Sequence, residues 1–328
     1  MKPFEYASPE TEREALEFLS PEPGKTAVLA GGTDLIGLMS RLIVQPERVV
    51  SLAGIPSLRA IEVDARGLSI GSMMSLEDVA EHPATAAYPA LRQAIGEISS
   101  QQLQSQGTLG GELCQRPRCW YFRSGEGLLA REGRSVVEGD NRYHAIFGNS
   151  GPAKFVCPSR LAPALIALGA AVRVIGPDVD NETIMPLEAF FRTPEDEHDR
   201  EHALRGDQIV SHVLLPVARY KSASYEVRQG SGPDYPLAAA AAALAFHGGV
   251  VSEARIVLGQ VAPTPWISRE AIQAIVGCAV NEETAEAAGR AAASVATPLS
   301  HNEYKVQLAK VAVKRAILLA AGFESGGF

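Results

Sequence analysis

Little in this chain suits a disulfide-stapled, membrane-spanning or nucleic-acid-binding protein. Four cysteines among 328 residues do not make a disulfide framework, so a reduced cytoplasmic setting is the default expectation. No apolar run approaches the roughly 20 residues of a membrane span. The longest, Ala238 to Phe246, reads as a buried alanine-rich helix. Met1-Lys2-Pro3-Phe4 runs straight into polar residues, with no apolar segment of the length an export leader needs. Lys and Arg total 30 against 38 Asp and Glu, a formal net charge of -8, and no dense basic cluster offsets it. That balance argues against a partner bound through its phosphate backbone.

Several catalytic signatures are missing too. There is no nucleophile elbow, no HExxH, no P-loop lysine after a glycine run and no GxGxxG. The acid run Glu195-Asp196-Glu197 reads as an exposed loop. What the composition does provide, 46% hydrophobic and 21% charged residues, is that of a globular chain long enough for more than one compact unit.

The pattern along the chain mixes α and β. Ser8-Pro9 opens a helix carrying Ala15, Leu16 and Leu19, and Thr26 to Ala30 reads as a short strand before a helix from Leu35 to Arg41. Strands are expected at Arg48 to Leu52, Leu58 to Val63 and Leu68 to Gly71. Ser75 with Asp78 caps a helix that stops before Pro83, and Pro89 to Ile98 is the next. Leu161 to Leu168 reads as a helix, followed by strands at Ala171 to Ile175 and Val210 to Leu215. The last third reads as a strand at Ser222 to Arg228, a helix at Leu237 to Phe246, a strand at Val250 to Leu258, and helices near Ser268 to Val276 and Asn302 to Leu319.

Two loops stand out, Ala30-Gly31-Gly32-Thr33-Asp34 and Thr108-Leu109-Gly110-Gly111-Glu112. Each sets a Gly-Gly pair beside a hydroxyl residue where an apolar run ends, so backbone N–H groups can converge on an anion with no side chain in the way. In the first, Thr33 or Asp34 falls at the start of the following helix, where unpaired N–H groups favour a phosphate. Together the two loops can clamp one diphosphate from both sides.

These loops keep company with three further segments: Pro158-Ser159-Arg160-Leu161-Ala162-Pro163-Ala164-Leu165, Leu258-Gly259-Gln260-Val261-Ala262-Pro263-Thr264-Pro265 and Tyr304-Lys305-Val306-Gln307-Leu308-Ala309. In this order, from about Phe4 to Ala321, the chain resembles the FAD-binding subunit of the molybdenum hydroxylases, the xanthine dehydrogenase and carbon monoxide dehydrogenase family. The resemblance implies an α+β fold. An FAD-binding domain over residues 1–218, made of two α/β subdomains (about 1–54 and 55–218) of the vanillyl-alcohol-oxidase type, would precede a C-terminal α+β domain over 219–328, a three-stranded antiparallel sheet with helices. It also implies FAD as cofactor, held by Leu29, Ala30, Gly31, Gly32, Thr33, Asp34 and Leu35 on one side and by Thr108, Gly110, Gly111, Glu112 and Leu113 on the other. Ser159, Arg160 and Arg228 would complete the site, with Asp234 near Arg228. The implied partners are a molybdopterin-binding large subunit and a [2Fe-2S] small subunit in a heterotrimer. No catalytic residue and no metal ligand is expected on this chain.

The chain departs from the family in three places. An insertion over 114–156 separates the second loop from the Pro-Ser segment and looks like that of the periplasmic aldehyde oxidoreductase type, in which it carries a [4Fe-4S] cluster. Here no cysteine lies between Arg123 and Val156, and a cluster needs four thiolates close together, so a cluster-free insertion is expected. Its aromatics, Trp120, Tyr121, Phe122, Tyr143 and Phe147, set among arginines, suit an interface with the iron-sulfur partner. Glu112 stands where the family has asparagine, and Arg160 where it has aspartate. Glu112 would therefore point away from a diphosphate or pair with a base such as Arg116, and Arg160 would meet phosphate or Glu112. A self-contained flavin oxidase of this fold and a scaffold subunit without FAD are the alternatives. The cytoplasm is the expected compartment, with the periplasm possible by export alongside a signal-bearing partner.

Overall fold

The computed structural model describes residues 1–230 and 232–324. Ser231, between Arg228 and Asp234, and 325–328, at the end of the expected C-terminal domain, lie outside them. The chain begins with a three-stranded parallel sheet. Strand β1 (Glu5–Ala7), helix α1 (Glu12–Phe18), β2 (Thr26–Leu29), α2 (Leu35–Ser40) and β3 (Arg48–Ser51) follow in order, and β3 lies between β1 and β2. Thr11, not Ser8, caps α1: its hydroxyl accepts the Glu14 N–H. Ala15 and Leu16 bury against Val50 and Leu52, so the helix covers one face of the small sheet.

A five-stranded antiparallel sheet forms the next layer. Its strands β4 (Ile61–Asp64), β5 (Gly67–Gly71), β6 (Ala171–Ile175), β7 (Glu182–Pro186) and β8 (Ile209–Pro216) lie in the order β4-β5-β8-β6-β7. The strand expected from Leu58 starts only at Ile61, because Pro56 sets a 3-10 turn through Arg59 that buries Leu58. Between β5 and β6 run α3 (Leu76–Glu81), α4 (Pro89–Gly96), α5 (Gln101–Gln106), α6 (Leu109–Leu113), α7 (Trp120–Arg123), α8 (Arg134–Glu138) and α9 (Ala162–Ala167). Ser75 caps α3 through Asp78, as the capping pattern predicts. A one-turn helix α10 (Leu187–Phe190) follows β7. Leu91, Ile95, Leu165 and Val213 sit in the shared core of these helices and the sheet.

The C-terminal unit is a second antiparallel sheet. Strands β9 (Lys221–Val227), β10 (Ala238–His247) and β11 (Val250–Gly259) are extended at one edge by the two-residue β12 (Trp266–Ile267). Helices α11 (Arg269–Ile275), α12 (Glu282–Ala293) and α13 (Tyr304–Ala320) complete it. Here the alanine run overturns its helix expectation: Ala238 to His247 is a strand hydrogen-bonded to β9 on one side and β11 on the other. Alanine's intrinsic preference is worth only tenths of a kcal/mol per residue against most alternatives, and tertiary packing overrides it. Ala241 and Ala243 face the core of the preceding domain. Ala238, Ala240 and Ala242 face α12 and α13. Small side chains on both faces of a central strand let two layers of helices close on it. Helix α12 was not foreseen; it starts at a capping box of Asn281 and Thr284.

Candidate functional site

Both glycine loops line one cavity of about 540 Å³. The first runs from the end of β2 into α2, and the second crosses from α5 into α6. They touch: a Cβ at Gly31 would lie 1.9 Å from the Gln106 carbonyl oxygen, and one at Gly111 would lie 3.7 Å from Ala30 Cβ. Gln106 Nε2 donates to the Gly31 carbonyl at 3.1 Å, which ties the end of α5 to the first loop. Gly32 adopts a φ of 74°, in the left-handed region that glycine enters freely.

The two loops differ in what they offer. Gly110 N–H donates to the Ser72 carbonyl, Gly111 N–H to Thr108 Oγ1 at 3.2 Å and Glu112 N–H to the Thr108 carbonyl. The fold therefore uses these three N–H groups of the second loop, and its glycines serve close approach: a Cβ at Gly110 would meet Ser72 Cβ at 2.7 Å. In the first loop the N–H groups of Gly31, Gly32, Thr33 and Asp34 donate to no acceptor among the described residues. A run of unpaired amides on a cavity wall, with no Cβ over the glycines, is the chemistry of an anion cradle.

Asp34 occupies the N-cap position of α2 without capping it. Its carboxylate instead accepts the Arg116 N–H at 2.9 Å and the Arg123 guanidinium at 2.8 Å, with Arg118 at 3.6 Å. The insertion is thereby fastened to the first loop. Phe122, Leu128, Leu129 and Phe155 extend that attachment by packing on Leu38 of α2. Of the aromatics expected to form an interface, Phe122 and Phe147 are buried in the fold, the latter stacked on Trp266 at 5.4 Å. Trp120 and Tyr143, 37% and 42% exposed, form an edge-to-face pair on the surface.

Among the residues anticipated from sequence, Ala30 to Leu35, Thr108, Gly110 and Gly111 line the cavity, and Leu29, Glu112, Leu113, Ser159, Arg160 and Arg228 do not. Leu29 is the last residue of β2, and Leu113, the last of α6, is a core residue. The Arg160 side chain meets neither glycine loop nor Glu112. Its guanidinium forms a buried ion pair with Glu226 of β9 and reaches the Glu97 carbonyl. Arg228 binds Glu97 at 2.8 Å, so both arginines fasten α4 to β9. Glu112 does not pair with Arg116. Its carboxylate accepts the Arg160 N–H at 2.6 Å, and Ser159 Oγ and Gln115 Nε2 also reach it. Burial pushes this carboxyl up to about 7.

The rest of the cavity wall carried no motif. It comes from Pro23-Gly24, the turn from Ile43 to Pro46, Ser72-Met73, Cys114 to Arg116, and the approach to β8 with Arg200, His202 and Arg205. Burial, with Arg200 and Arg116 nearby, holds His202 well below its ordinary value, and its Nδ1 has no partner among the described residues. Cys157 is buried and Cys114 half-buried on the cavity wall, and desolvation pushes both thiols up to about 12. Cys119 Sγ lies 3.2 Å from His144 Nε2. Among the described residues no group of three or more His, Cys, Asp or Glu is placed to hold a metal ion, and no helix is long and apolar enough to cross a membrane.

Comparison with known proteins shows the family to which this fold belongs. The chain belongs to the family described as the FAD binding domain in molybdopterin dehydrogenase, which matches residues 2–218; the CO dehydrogenase flavoprotein C-terminal domain matches residues 223–320. It is 32% identical over 94% of its length, and 96% of the relative's, to the aldehyde oxidoreductase FAD-binding subunit PaoB of Escherichia coli (strain K12). To the carbon monoxide dehydrogenase medium chain of Hydrogenophaga pseudoflava it is 26% identical, covering 96% of both chains. The solved carbon monoxide dehydrogenase of Hydrogenophaga pseudoflava superposes with a TM-score of 0.76 at 26% identity, over 98% of this chain and 99% of that one. The chain is thus an oxidoreductase component of the flavoprotein-subunit type.

Proposed function

We propose that this chain binds FAD in the cavity between its glycine loops and serves as the electron-transfer subunit of a three-component molybdenum hydroxylase. The observation that carries this reading is the row of unpaired N–H groups from Gly31 to Asp34 on the wall of a cavity whose opposite side is Gly110-Gly111. Those amides would hold the diphosphate of FAD, and the close contact of the loops would fix its position. FAD, when bound, supplies an acceptor for single electrons or pairs. Hydroxylation would occur at a molybdopterin centre on a large partner subunit. Electrons would pass through [2Fe-2S] clusters on a small one, reach this FAD and leave to an external acceptor. We place the domain boundary between Pro216, the end of β8, and Lys221, the start of β9.

The insertion packs beside the flavin cavity and exposes Trp120 and Tyr143, which suits contact with the iron-sulfur subunit. We assign it no [4Fe-4S] cluster; about four irons per chain after anaerobic purification would contradict that. The cytoplasm is the compartment proposed, with export beside a signal-bearing partner as the alternative. To test the function, the tagged chain is purified with whatever partners accompany it, and its flavin absorbance is followed while an aldehyde, a purine or carbon monoxide is offered. Bleaching of the flavin bands that requires the molybdenum and iron-sulfur subunits supports the reading. Bleaching by the isolated chain would make it a self-contained flavin oxidase instead.

A further inference from the structure

The residue next to Gly110-Gly111 is an acid in a place where a diphosphate would be repelled. Glu112 is buried, and its carboxylate is turned from the cavity into the seam between α6 and the segment before α9. Resting on the FAD reading, we propose that Glu112 couples cofactor binding to protonation: entry of the dianionic diphosphate drives uptake of one proton by this carboxyl group, so that FAD affinity falls as pH rises. The geometry supports this in three ways.

First, the carboxylate is met by neutral donors: the Arg160 N–H at 2.6 Å, Ser159 Oγ at 3.5 Å and Gln115 Nε2, with the Leu161 N–H beside them. Second, the nearby cations are committed elsewhere. The Arg160 guanidinium is held by Glu226 and the Glu97 carbonyl. Arg118 lies between Asp34, Gln115 Oε1 and the Tyr235 ring. The other titratable groups facing Glu112 are Cys157, from the segment before α9, and Tyr235, from the loop before β10. Burial pushes both up to about 12, so they stay neutral. Third, Gln115 both donates to Glu112 and lines the cavity, which sets the carboxyl one side chain from the ligand.

Burial, opposed by the backbone N–H donors and by Arg160 and Arg118 nearby, lifts Glu112 to about 7, and two added negative charges move it in the same direction as burial. Protonation at Oε2, the oxygen that faces Gln115, leaves Oε1 to keep the Arg160 N–H and Ser159 Oγ. A ligand that raises a group's pKa binds with proton uptake, and its affinity falls by up to about tenfold per pH unit above the free-state pKa.

Calorimetric titration of the flavin-free chain with FAD from pH 6 to 9, in two buffers of different ionisation enthalpy, tests this. The expected result is uptake approaching one proton per FAD above neutral pH, with Kd rising severalfold to about tenfold per pH unit. Glu112→Gln should bind FAD with little pH dependence and no buffer-dependent heat. Tight FAD binding by the wild-type chain with a flat pH profile and no proton uptake would overturn the proposal and leave the flavin reading standing. No FAD binding at any pH would overturn both. Should Glu112→Gln fail to fold, the buffer dependence of the wild-type chain still decides.

Discussion

Glycine is required at position 31 by contact rather than by conformation. Any Cβ there collides with the Gln106 carbonyl, and backbone cannot step aside as the tip of a flexible side chain can. Gly31→Ala is therefore expected to push the two loops apart and to lower FAD occupancy at least tenfold, while the far-ultraviolet circular dichroism of the chain stays unchanged. Gly111→Val should act similarly by displacing Thr108 Oγ1, which a Cβ would meet at 2.8 Å. Retention of full flavin by both variants contradicts the site. Glu112 supplies a second prediction at this scale. Its folded pKa is raised from 4.5 to about 7, so its contribution to stability is fully present below pH 4.5 and is lost as pH rises through 7. The flavin-free Glu112→Gln chain should accordingly gain about 1–3 kcal/mol over wild type between pH 5 and 8, read from urea unfolding. A difference that does not change with pH would contradict it. The glycine pairs were legible because a motif names its residues. Arg160 and Arg228 lie outside the cavity lining, which was not legible because sequence shows their charge but not Glu226 and Glu97, the carboxylates that hold them.

Among the elements, β10 shows where reading by propensity stops. Six alanines in a row carry no hydrophobic period, so neither a helical nor an extended pattern can be told from them. Their strand is set by β9 and β11 on either side and by helices over both faces. Ala240→Leu should destabilise the chain by about 1–3 kcal/mol through overpacking against α13, measured by chemical denaturation; an exposed or helical segment would tolerate it. The insertion is the other informative element. His144 packs its ring on Trp120 and Tyr121, and burial with Lys305 nearby holds it down to about 4. A lowered histidine contributes stability that is present above pH 6.5 and lost as pH falls toward 4. His144→Gln should therefore narrow the stability gap to wild type as pH drops from 7 to 4. A gap that stays constant would show that His144 titrates normally. For the partner contact, Trp120→Ser with Tyr143→Ser should weaken assembly about 30-fold or more and leave flavin content intact, as followed by co-purification. Phe122 is unsuited to this test because it is buried against Leu38.

At the scale of the whole molecule, the cavity lies where three parts of the chain meet: the small parallel sheet with α2, the five-stranded sheet with α5 and α6, and the insertion fastened through Asp34. Sequence order reveals the first two through their glycine loops. The segment from Arg200 to Val210 joins the wall only because β8 takes the central place of its sheet, and no local pattern announces that. The central claim is that this cavity holds FAD, and equilibrium titration of the flavin-free chain with FAD tests it most directly. About one FAD per chain, bound with a dissociation constant at or below the micromolar range and lost in Gly31→Ala, is the predicted result. A chain that stays colourless at saturating FAD, or one that binds flavin equally well after that substitution, would contradict the account.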